Sequence, residues 1–126
     1  MIIGVGIDLV EIARIAELLA RWPQRFAARV FTPEEIAACE NRSSRTAALA
    51  ARFAAKEAFA KALGTGVDKN FSWHDFAVLN ESNGRPLPRL SARLVARLQN
   101  VNVHLSLSHS ERYAMAVVVL EKLESE

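Results

Sequence analysis

The chain has 126 residues, a formal net charge of +2 and a hydrophobic content of 51%. This composition predicts one globular domain over residues 1–126 and excludes a disordered or fibrous chain. Its single cysteine excludes an internal disulfide framework and a multi-cysteine zinc site. No apolar run is long enough to cross a membrane and no signal peptide is evident, so we expect a cytoplasmic protein.

The first half of the chain shows a strand signal followed by helix signals. Residues 1–9 are mostly apolar and predict a short buried strand. From Val10 onward apolar residues recur at helical spacing, and Pro23 ends this first helix. Thr32 is suited to cap a further helix, because Pro33 fits its first position.

The second half alternates between helix and strand signals. In chain order these predict a helix from Ser44 to about Leu63 that ends at Gly64, a strand over 75–80, a fourth amphipathic helix over 87–98, and strands over 101–108 and 113–120. The last segment is apolar on both faces, which is typical of an inner strand, and a hairpin joins it to the alternating strand before it. This order of elements predicts an α+β fold in which helices pack on a mostly antiparallel sheet.

The long helix carries a basic stripe. The side chains that fall within one narrow arc of the helix are Arg42, Arg45, Arg52 and Lys56. Glu57 and Lys61 lie beside the stripe, and their spacing of one helical turn allows them to pair. The excess of positive charge favours a phosphate-rich ligand, and a solvated basic face that binds nothing is the alternative.

Asp8 interrupts a strand that otherwise has the pattern of a buried one. A buried carboxylate needs a cation or several hydrogen-bond donors, because an unpaired buried charge is very unfavourable. It could cap the following helix or pair with an arginine. Alternatively, it could bind a hard cation together with Glu57, and two carboxylates are a set that suits Mg²⁺. No spacing rule brings these two residues together, so that step depends on the fold.

Two segments of the chain resemble the signature blocks of a known family. They are residues 2–15, IIGVGIDLVEIARI, and residues 52–66, RFAAKEAFAKALGTG. Both are similar to blocks of the holo-[acyl-carrier-protein] synthases, the compact class of the 4′-phosphopantetheinyl transferase superfamily. Residues 31–35, 83–86 and 105–110 match the same family in the same order, so the resemblance covers nearly the whole chain.

The resemblance implies a fold, a reaction and an assembly. The expected fold is that of a 4′-phosphopantetheinyl transferase. The expected reaction is the Mg²⁺-dependent transfer of 4′-phosphopantetheine from coenzyme A to a serine of apo acyl carrier protein, with release of adenosine 3′,5′-bisphosphate. It belongs to fatty acid biosynthesis and thus to lipid metabolism. The expected assembly is a homotrimer with sites between subunits.

The resemblance also implies roles for particular residues. Asp8 and Glu57 match the metal carboxylates, Lys61 matches the lysine near the pyrophosphate, and Glu57 and Lys61 are the expected catalytic residues. Glu57 is expected to take the serine proton either directly or through a metal-bound water. The residues expected to contact coenzyme A are Arg45, Arg52, Lys56, Lys61, Gly64, Pro86 and His104. Of these, Arg45 or His104 is expected to act across a subunit interface. Arg14 on the first helix matches a docking arginine of the family. Arg21 extends the basic surface that is expected to dock the acidic carrier protein.

Two functions of other classes would use the same basic helix. One is a module that binds coenzyme A or a carrier protein without turnover, and the presence of Asp8, Glu57 and Lys61 argues against it. The other is a nucleic-acid binder, which the small net charge and the few aromatic residues disfavour. We therefore expect no nucleic-acid partner.

Overall fold

The computed structural model describes residues 1–67 and 71–124. Their elements are, in chain order, β1 (Ile2–Glu11), α1 (Ile12–Arg21), α2 (Arg25–Val30), α3 (Pro33–Glu40), α4 (Arg45–Leu63), a short 3-10 helix (Trp73–Asp75), β2 (Phe76–Asn80), β3 (Pro86–Leu90), α5 (Ala92–Arg97), β4 (Val101–His109) and β5 (Tyr113–Lys122). In the part of the chain that the structure describes, no helix is both long and apolar enough to span a membrane.

The strands form two antiparallel sheets. The larger has the strand order β1-β5-β4, and the smaller is the hairpin of β2 and β3. Helix α4 packs against β1 and β5 of the larger sheet and against β2 of the smaller one. This arrangement confirms the predicted α+β fold with helices on antiparallel sheets.

The position of each strand explains its apolar pattern. β5 pairs with β1 on one side and with β4 on the other, so the prediction of an inner strand over 113–120 is confirmed. β1 is an edge strand. Its inner face carries Gly6 and Val10, which are buried, but the side chains of its other face are exposed. The prediction that residues 1–9 are wholly buried is therefore wrong for that outer face.

The strand β1 lies unusually close to α4. A Cβ atom added at Gly6 would lie 1.8 Å from the carbonyl oxygen of Ala58, and one added at Gly4 would lie 2.1 Å from that of Ala62. Both distances are far below any real Cβ contact, so only glycine allows this approach. The two glycines thus bring the backbone of β1 directly onto the helix that carries Glu57 and Lys61.

The predicted helix over 87–98 is wrong in its first half. Residues 86–90 form β3, and Ser91 caps the shorter helix α5 through a bond from the Leu94 N–H to its hydroxyl. Two prolines explain the difference, because a helix interior does not accommodate them. In β3, Pro88 pairs with Val78, which directs its own N–H and C=O away from β3. The hairpin needs no N–H at position 88, so proline costs it no hydrogen bond.

The predicted helix ends are confirmed. Thr32 and Glu35 form a reciprocal capping box at the start of α3, with Pro33 in the first turn. Helix α4 ends at Gly64, whose φ of 81° lies in the left-handed region that glycine adopts without strain. These local signals fix the start of α3 and the end of α4, the helix that carries Glu57 and Lys61.

Candidate active site

Asp8 and Lys61 meet where β1 crosses α4. Asp8 lies on the inner face of β1, and its side chain is 18% exposed. The Nζ of Lys61 donates to Asp8 Oδ1 at 2.9 Å and to the backbone oxygen of Ile7 at 3.0 Å. Lys61 stands one helical turn after Glu57, so both side chains project from the same side of α4. The fold thus brings together residues that are distant in sequence.

The Glu57 carboxyl belongs to the same site. Partial burial raises its pKa above the ordinary value of 4.5, and the negative charge of Asp8 raises it further. The positive charges of Lys61 and Arg14 act in the opposite direction. The influence of Asp8 on Glu57 means that the two carboxylates share one neighbourhood, where a divalent cation would relieve their repulsion.

Asp8 and Glu57 are a suitable donor set for a hard cation. Magnesium takes one or two carboxylates and leaves its other positions to water and phosphate oxygens. Among the described residues, no group of three or more His, Cys, Asp or Glu side chains could hold a metal ion. A metal ion held by Asp8 and Glu57 stays a prediction.

A second part of the candidate site is a cavity of about 200 Å³ beside the N-terminal half of α4. Its lining residues are Arg42, Ser44, Ala48, Ala51, Arg52, Asn80, Gly84, Pro86, Leu107, Ser108 and His109. The Oδ1 of Asn80 accepts hydrogen bonds from Arg52 Nη2 at 2.6 Å and from Arg42 Nη2 at 3.2 Å. Two guanidinium groups beside a proline surface can bind phosphate and stack on a planar ring.

Arg52 belongs to this cavity although its side chain is almost fully buried. Its Nε donates to the carbonyl oxygen of Val78 at 3.0 Å, and its Nη1 donates to that of Ala48 at 3.3 Å. The predicted exposed stripe is therefore wrong for Arg52, because the strand β2 covers it. Its guanidinium still lines the cavity, so the prediction that Arg52 contacts coenzyme A is compatible with this placement.

Lys56 lies elsewhere, and its predicted contact with coenzyme A needs correction. Its side chain is 0% exposed and forms an ion pair with Glu35, Nζ to Oε1 at 2.8 Å. The same ammonium donates to the carbonyl oxygens of Trp73 at 2.8 Å and Phe76 at 2.5 Å. Burial lowers the pKa of Lys56, and the Glu35 carboxylate opposes that shift. All three protons have acceptors inside the protein, so none is left for a phosphate.

His104 and Asp8 lie on opposite faces of the larger sheet. His104 and Val5 both pair with Val119 of β5, so the side chain of His104 lies on the exposed face with that of Val5. Asp8 instead pairs with Ala116, which is buried, so Asp8 lies on the inner face. The Nε2 of His104 lies 2.9 Å from Glu121 Oε1. Within one chain His104 therefore does not join the carboxylates.

The other predicted coenzyme contacts occupy the two ends of α4 and the cavity. Arg45 begins α4 and is half-buried, while Gly64 caps the opposite end and is exposed. Pro86 lines the cavity. The structure thus separates the predicted set into a part near the carboxylates and a part near Arg52.

The exposed face of α1 and α2 combines arginines with apolar side chains. Arg14 and Arg21, the predicted carrier-docking residues, are both exposed on α1. Arg21 stacks over the ring of Trp22 at 4.7 Å. A groove of about 380 Å³ lies between α1 and α2 and is lined by Leu18, Trp22, Arg25, Phe26 and Arg29. Because Arg14 acts on the pKa of Glu57, this face adjoins the carboxylate site.

Comparison with known proteins identifies the family. A family model described as the 4′-phosphopantetheinyl transferase superfamily matches residues 4–118. Over 124 residues the chain is 46% identical to the holo-[acyl-carrier-protein] synthase of Koribacter versatilis, which covers 96% of this chain and 99% of that relative. The chain belongs to the holo-[acyl-carrier-protein] synthase family.

Solved structures of holo-[acyl-carrier-protein] synthases share this fold. The Neisseria meningitidis enzyme matches with a TM-score of 0.89 at 39% identity, over 97% of this chain and 100% of that one. The Bacillus anthracis enzyme, solved in complex with CoA (3′,5′-ADP), matches with a TM-score of 0.84 at 40% identity, over 98% of this chain and 99% of that one. This chain is therefore a 4′-phosphopantetheinyl transferase, as the sequence motifs predict.

The sequence patterns do not reveal the whole of this cavity. They assign Arg52 and Pro86 to the coenzyme but give no role there to Asn80, Ser108 or His109, which also line the cavity. Asn80 is the last residue of β2 and pairs with Pro86, so recognising residues 86–90 as a strand would have drawn attention to it. Ser108 and His109 end β4, and nothing in their local pattern indicates a neighbouring helix.

Proposed function

We propose that this chain transfers the 4′-phosphopantetheine arm of coenzyme A to a serine of an apo acyl carrier protein, in a magnesium-dependent reaction that releases adenosine 3′,5′-bisphosphate. The observation that carries the proposal is the meeting of Asp8, Glu57 and Lys61 where β1 crosses α4. The names of the relatives and a relative's complex with coenzyme A support it. Residues 1–126 act as one catalytic domain, in the cytoplasm, and serve fatty acid biosynthesis.

Asp8 and Glu57 would hold the magnesium ion. When bound, the ion supplies Lewis-acid stabilisation of charge on the phosphate oxygens. Glu57 also accepts the proton of the serine hydroxyl as this oxygen attacks the β-phosphate.

Lys61 stabilises the leaving group. Its ammonium lies in the carboxylate site, bonded to Asp8, and its side chain is 54% exposed. A flexible, exposed cation at this place can move to a phosphate oxygen and neutralise the charge that develops on the departing bisphosphate. The same positive charge opposes the rise in the pKa of Glu57.

The cavity beside α4 binds the nucleotide end of coenzyme A. Arg42 and Arg52 supply guanidinium groups for its phosphates, and Pro86 supplies an apolar surface for the ring. Arg45 at the start of α4 is a further phosphate ligand. Gly64 lies at the other end of the helix, where its exposed backbone can approach the pantetheine arm.

A homotrimer completes the site. The outer face of β1 exposes Ile3, Val5, Ile7 and Leu9, each by 46% to 59%. A row of exposed apolar side chains on an edge strand favours contact with another copy of the chain. His104 lies on the same outer face of the sheet, so in the trimer it reaches the coenzyme of a neighbouring subunit rather than that of its own.

The acyl carrier protein docks on α1. Arg14 and Arg21 attract its acidic surface, and the groove beside Trp22 and Phe26 receives its apolar side chains. Because Arg14 lies near Glu57, docking here brings the acceptor serine toward the proposed base.

Mass spectrometry of an apo acyl carrier protein tests the proposed reaction. After incubation with this chain, coenzyme A and Mg²⁺, one serine is expected to carry a 4′-phosphopantetheine adduct, and adenosine 3′,5′-bisphosphate is expected in equal amount. Chelation of the metal is expected to stop the reaction. Asp8→Ala and Glu57→Ala should each lower the rate by about a hundredfold or more, since they remove groups that contact the reacting centre.

Glu124→Ala is the matched control for the two variants. Glu124 is an exposed carboxylate that follows β5, and its removal is expected to leave the rate unchanged. Full activity of both Asp8→Ala and Glu57→Ala would overturn the metal assignment. Absence of any adduct with several apo carrier proteins would overturn the proposed reaction itself.

A further inference from the structure

The strand β2 is held on its open side by charged side chains. On the side facing away from β3, the N–H of Val78 donates to Glu35 Oε2 at 2.9 Å, and the C=O of Val78 accepts from Arg52 Nε at 3.0 Å. The C=O of Phe76 accepts from Lys56 Nζ at 2.5 Å. Side chains of α3 and α4 thus take the place that a neighbouring strand would occupy.

The centre of this arrangement is the buried pair of Glu35 and Lys56. Both side chains are 0% exposed, and Nζ and Oε1 are 2.8 Å apart. Glu35 also accepts from the N–H of Thr32 at 3.0 Å, and Lys56 donates to the carbonyl oxygen of Trp73 at 2.8 Å. Every bond of such a network is directional, so the pair fixes the distance and register between β2 and the helices.

The strand held in this way leads directly into the nucleotide cavity. β2 ends at Asn80, whose Oδ1 accepts from both Arg42 and Arg52. The Nδ2 of Asn80 donates to the carbonyl oxygen of Gly84 at 3.0 Å, and Asn80 pairs with Pro86. One wall of the cavity is therefore the hairpin and another is α4. A shift of the hairpin along α4 would move the proline surface away from the arginines.

We propose that Glu35 and Lys56 are positioning residues for coenzyme A: they hold the hairpin of β2 and β3 against α4 and thereby set the shape of the nucleotide cavity. This inference rests on the proposed function of the cavity. Neither residue lines the cavity, so both act through the backbone of Phe76 and Val78. The inference also gives Lys56 a role that replaces the predicted direct contact with phosphate.

Binding of adenosine 3′,5′-bisphosphate to Lys56→Met and Glu35→Gln tests this inference. These substitutions keep the length of each side chain and remove the ion pair. We expect the dissociation constant for the bisphosphate and the KM for coenzyme A to rise about tenfold. We expect kcat to stay within about threefold and the KM for the carrier protein to stay unchanged. The reason is that these substitutions leave Asp8, Glu57 and Lys61 in place.

Two further variants separate positioning from stability. Val118→Ala shortens a buried side chain of β5, on the larger sheet, and should lower the melting temperature without changing the KM for coenzyme A. The double variant Glu35→Leu with Lys56→Met leaves no unpaired charge, so it should be more stable than either single variant. It should keep the weak coenzyme binding, since the backbone of Val78 and Phe76 still lacks its partners.

Normal bisphosphate binding by the folded single and double variants would overturn the inference and leave the pair a stabilising role only. If these variants do not fold, amide hydrogen exchange of the wild-type protein, measured with and without the bisphosphate, tests the inference instead. The amide of Val78 should then exchange more slowly when the bisphosphate is bound, and an unchanged rate would contradict the inference. Bisphosphate binding does not require the transfer reaction, so these outcomes are independent of whether the carrier adduct forms.

Discussion

At Glu57, partial burial and the charge of Asp8 both favour the protonated carboxyl. The pKa in the folded chain is therefore higher than the ordinary value of 4.5, which applies to the unfolded chain. Between these two values the folded state binds more protons than the unfolded state. The free energy of unfolding must then fall as the pH rises from 4.5 through the folded pKa. An ionised Glu57 consequently destabilises the metal-free protein near neutral pH, and a divalent cation would reverse this effect.

Glu57→Gln is expected to stabilise the metal-free protein at neutral pH. Burial and Asp8 disfavour the negative charge of Glu57, and this charge forms as the pH rises. Glutamine removes the charge, so the gain in melting temperature should be larger at pH 7 than near pH 4.5. Thermal denaturation across this range in a chelating buffer measures it. Mg²⁺ should raise the melting temperature of the wild type more than that of the variant.

Glu17→Gln on α1 is the control for this comparison and is expected to show neither effect. A gain for Glu57→Gln that is equal at both pH values would contradict the assigned environment of Glu57.

At the scale of single elements, the crossing of β1 over α4 sets the spacing of the proposed catalytic groups. Gly6 lies against the carbonyl oxygen of Ala58, the residue that follows Glu57 in α4. Asp8 is two residues further along β1, on the same inner face. The approach of the two backbones at Gly6 therefore decides how near Asp8 comes to Glu57 and Lys61.

Gly6→Ala is expected to destabilise the protein by about 3 kcal/mol, because its Cβ has no room beside α4 and the strand must move. The same shift should separate Asp8 from Lys61 and lower the transfer rate. Denaturant unfolding and the adduct assay measure the two effects.

Gly64→Ala is the matched control, since its position has open space and only a positive φ of 81°. Strain from this dihedral should destabilise by about 1 kcal/mol. A loss of stability in Gly6→Ala no larger than that in Gly64→Ala would show that β1 yields easily and that the close approach is unimportant.

At the scale of the whole molecule, the outer face of the larger sheet and the basic face of α1 determine its partners. The first is apolar along β1, and the second combines arginines with a groove. An apolar face favours a permanent contact with identical subunits, whereas a charged face favours a transient partner that is attracted over a distance. The proposed trimer and the proposed carrier complex thus use different surfaces.

Val5→Lys is expected to convert the proposed homotrimer into monomers, because a buried lysine at the subunit contact would be unpaired. Light scattering coupled to gel filtration measures the mass. The transfer rate should fall with it, since His104 would no longer reach a neighbouring site.

Val95→Lys on α5 is the matched control. Val95 is 56% exposed and Val5 is 59% exposed, so the two substitutions differ in location rather than in exposure. A monomeric wild type, or a trimer that persists in Val5→Lys, would contradict the assembly proposed for this face.

Arg14→Glu is expected to raise the KM for the carrier protein about tenfold and to weaken its salt dependence, because the docking face loses positive charge. Steady-state kinetics at several salt concentrations measure both quantities. Arg14→Lys keeps the charge and should stay close to the wild type. An unchanged KM in Arg14→Glu would place the docking surface elsewhere.

Much of the fold follows from local patterns that the sequence carries openly. The alternation of Val101, Val103 and Leu105 predicts β4, and the wholly apolar segment after it predicts the central strand β5. Thr32 and Gly64 fix helix ends through bonds and dihedrals that involve only neighbouring residues. These features are predictable because each depends on a few adjacent residues.

The errors have a common cause, which is that exposure depends on distant parts of the chain. Lys56 has a helical position that suits a basic surface, yet Glu35 and β2 cover it. β1 is mostly apolar, but among the described residues no strand or helix covers its outer face. Periodicity states which residues share a face and does not state what packs against that face.

The sequence by itself determined most elements of the fold, the family and the acidic and basic residues of the site, since motifs and periodicities are properties of short segments. Only the tertiary structure decided that Asp8 meets Lys61, that Asn80 joins Arg42 and Arg52, and that Lys56 turns inward. These contacts join residues far apart in the chain. Their geometry follows from how closely two backbones can approach, which no local pattern contains.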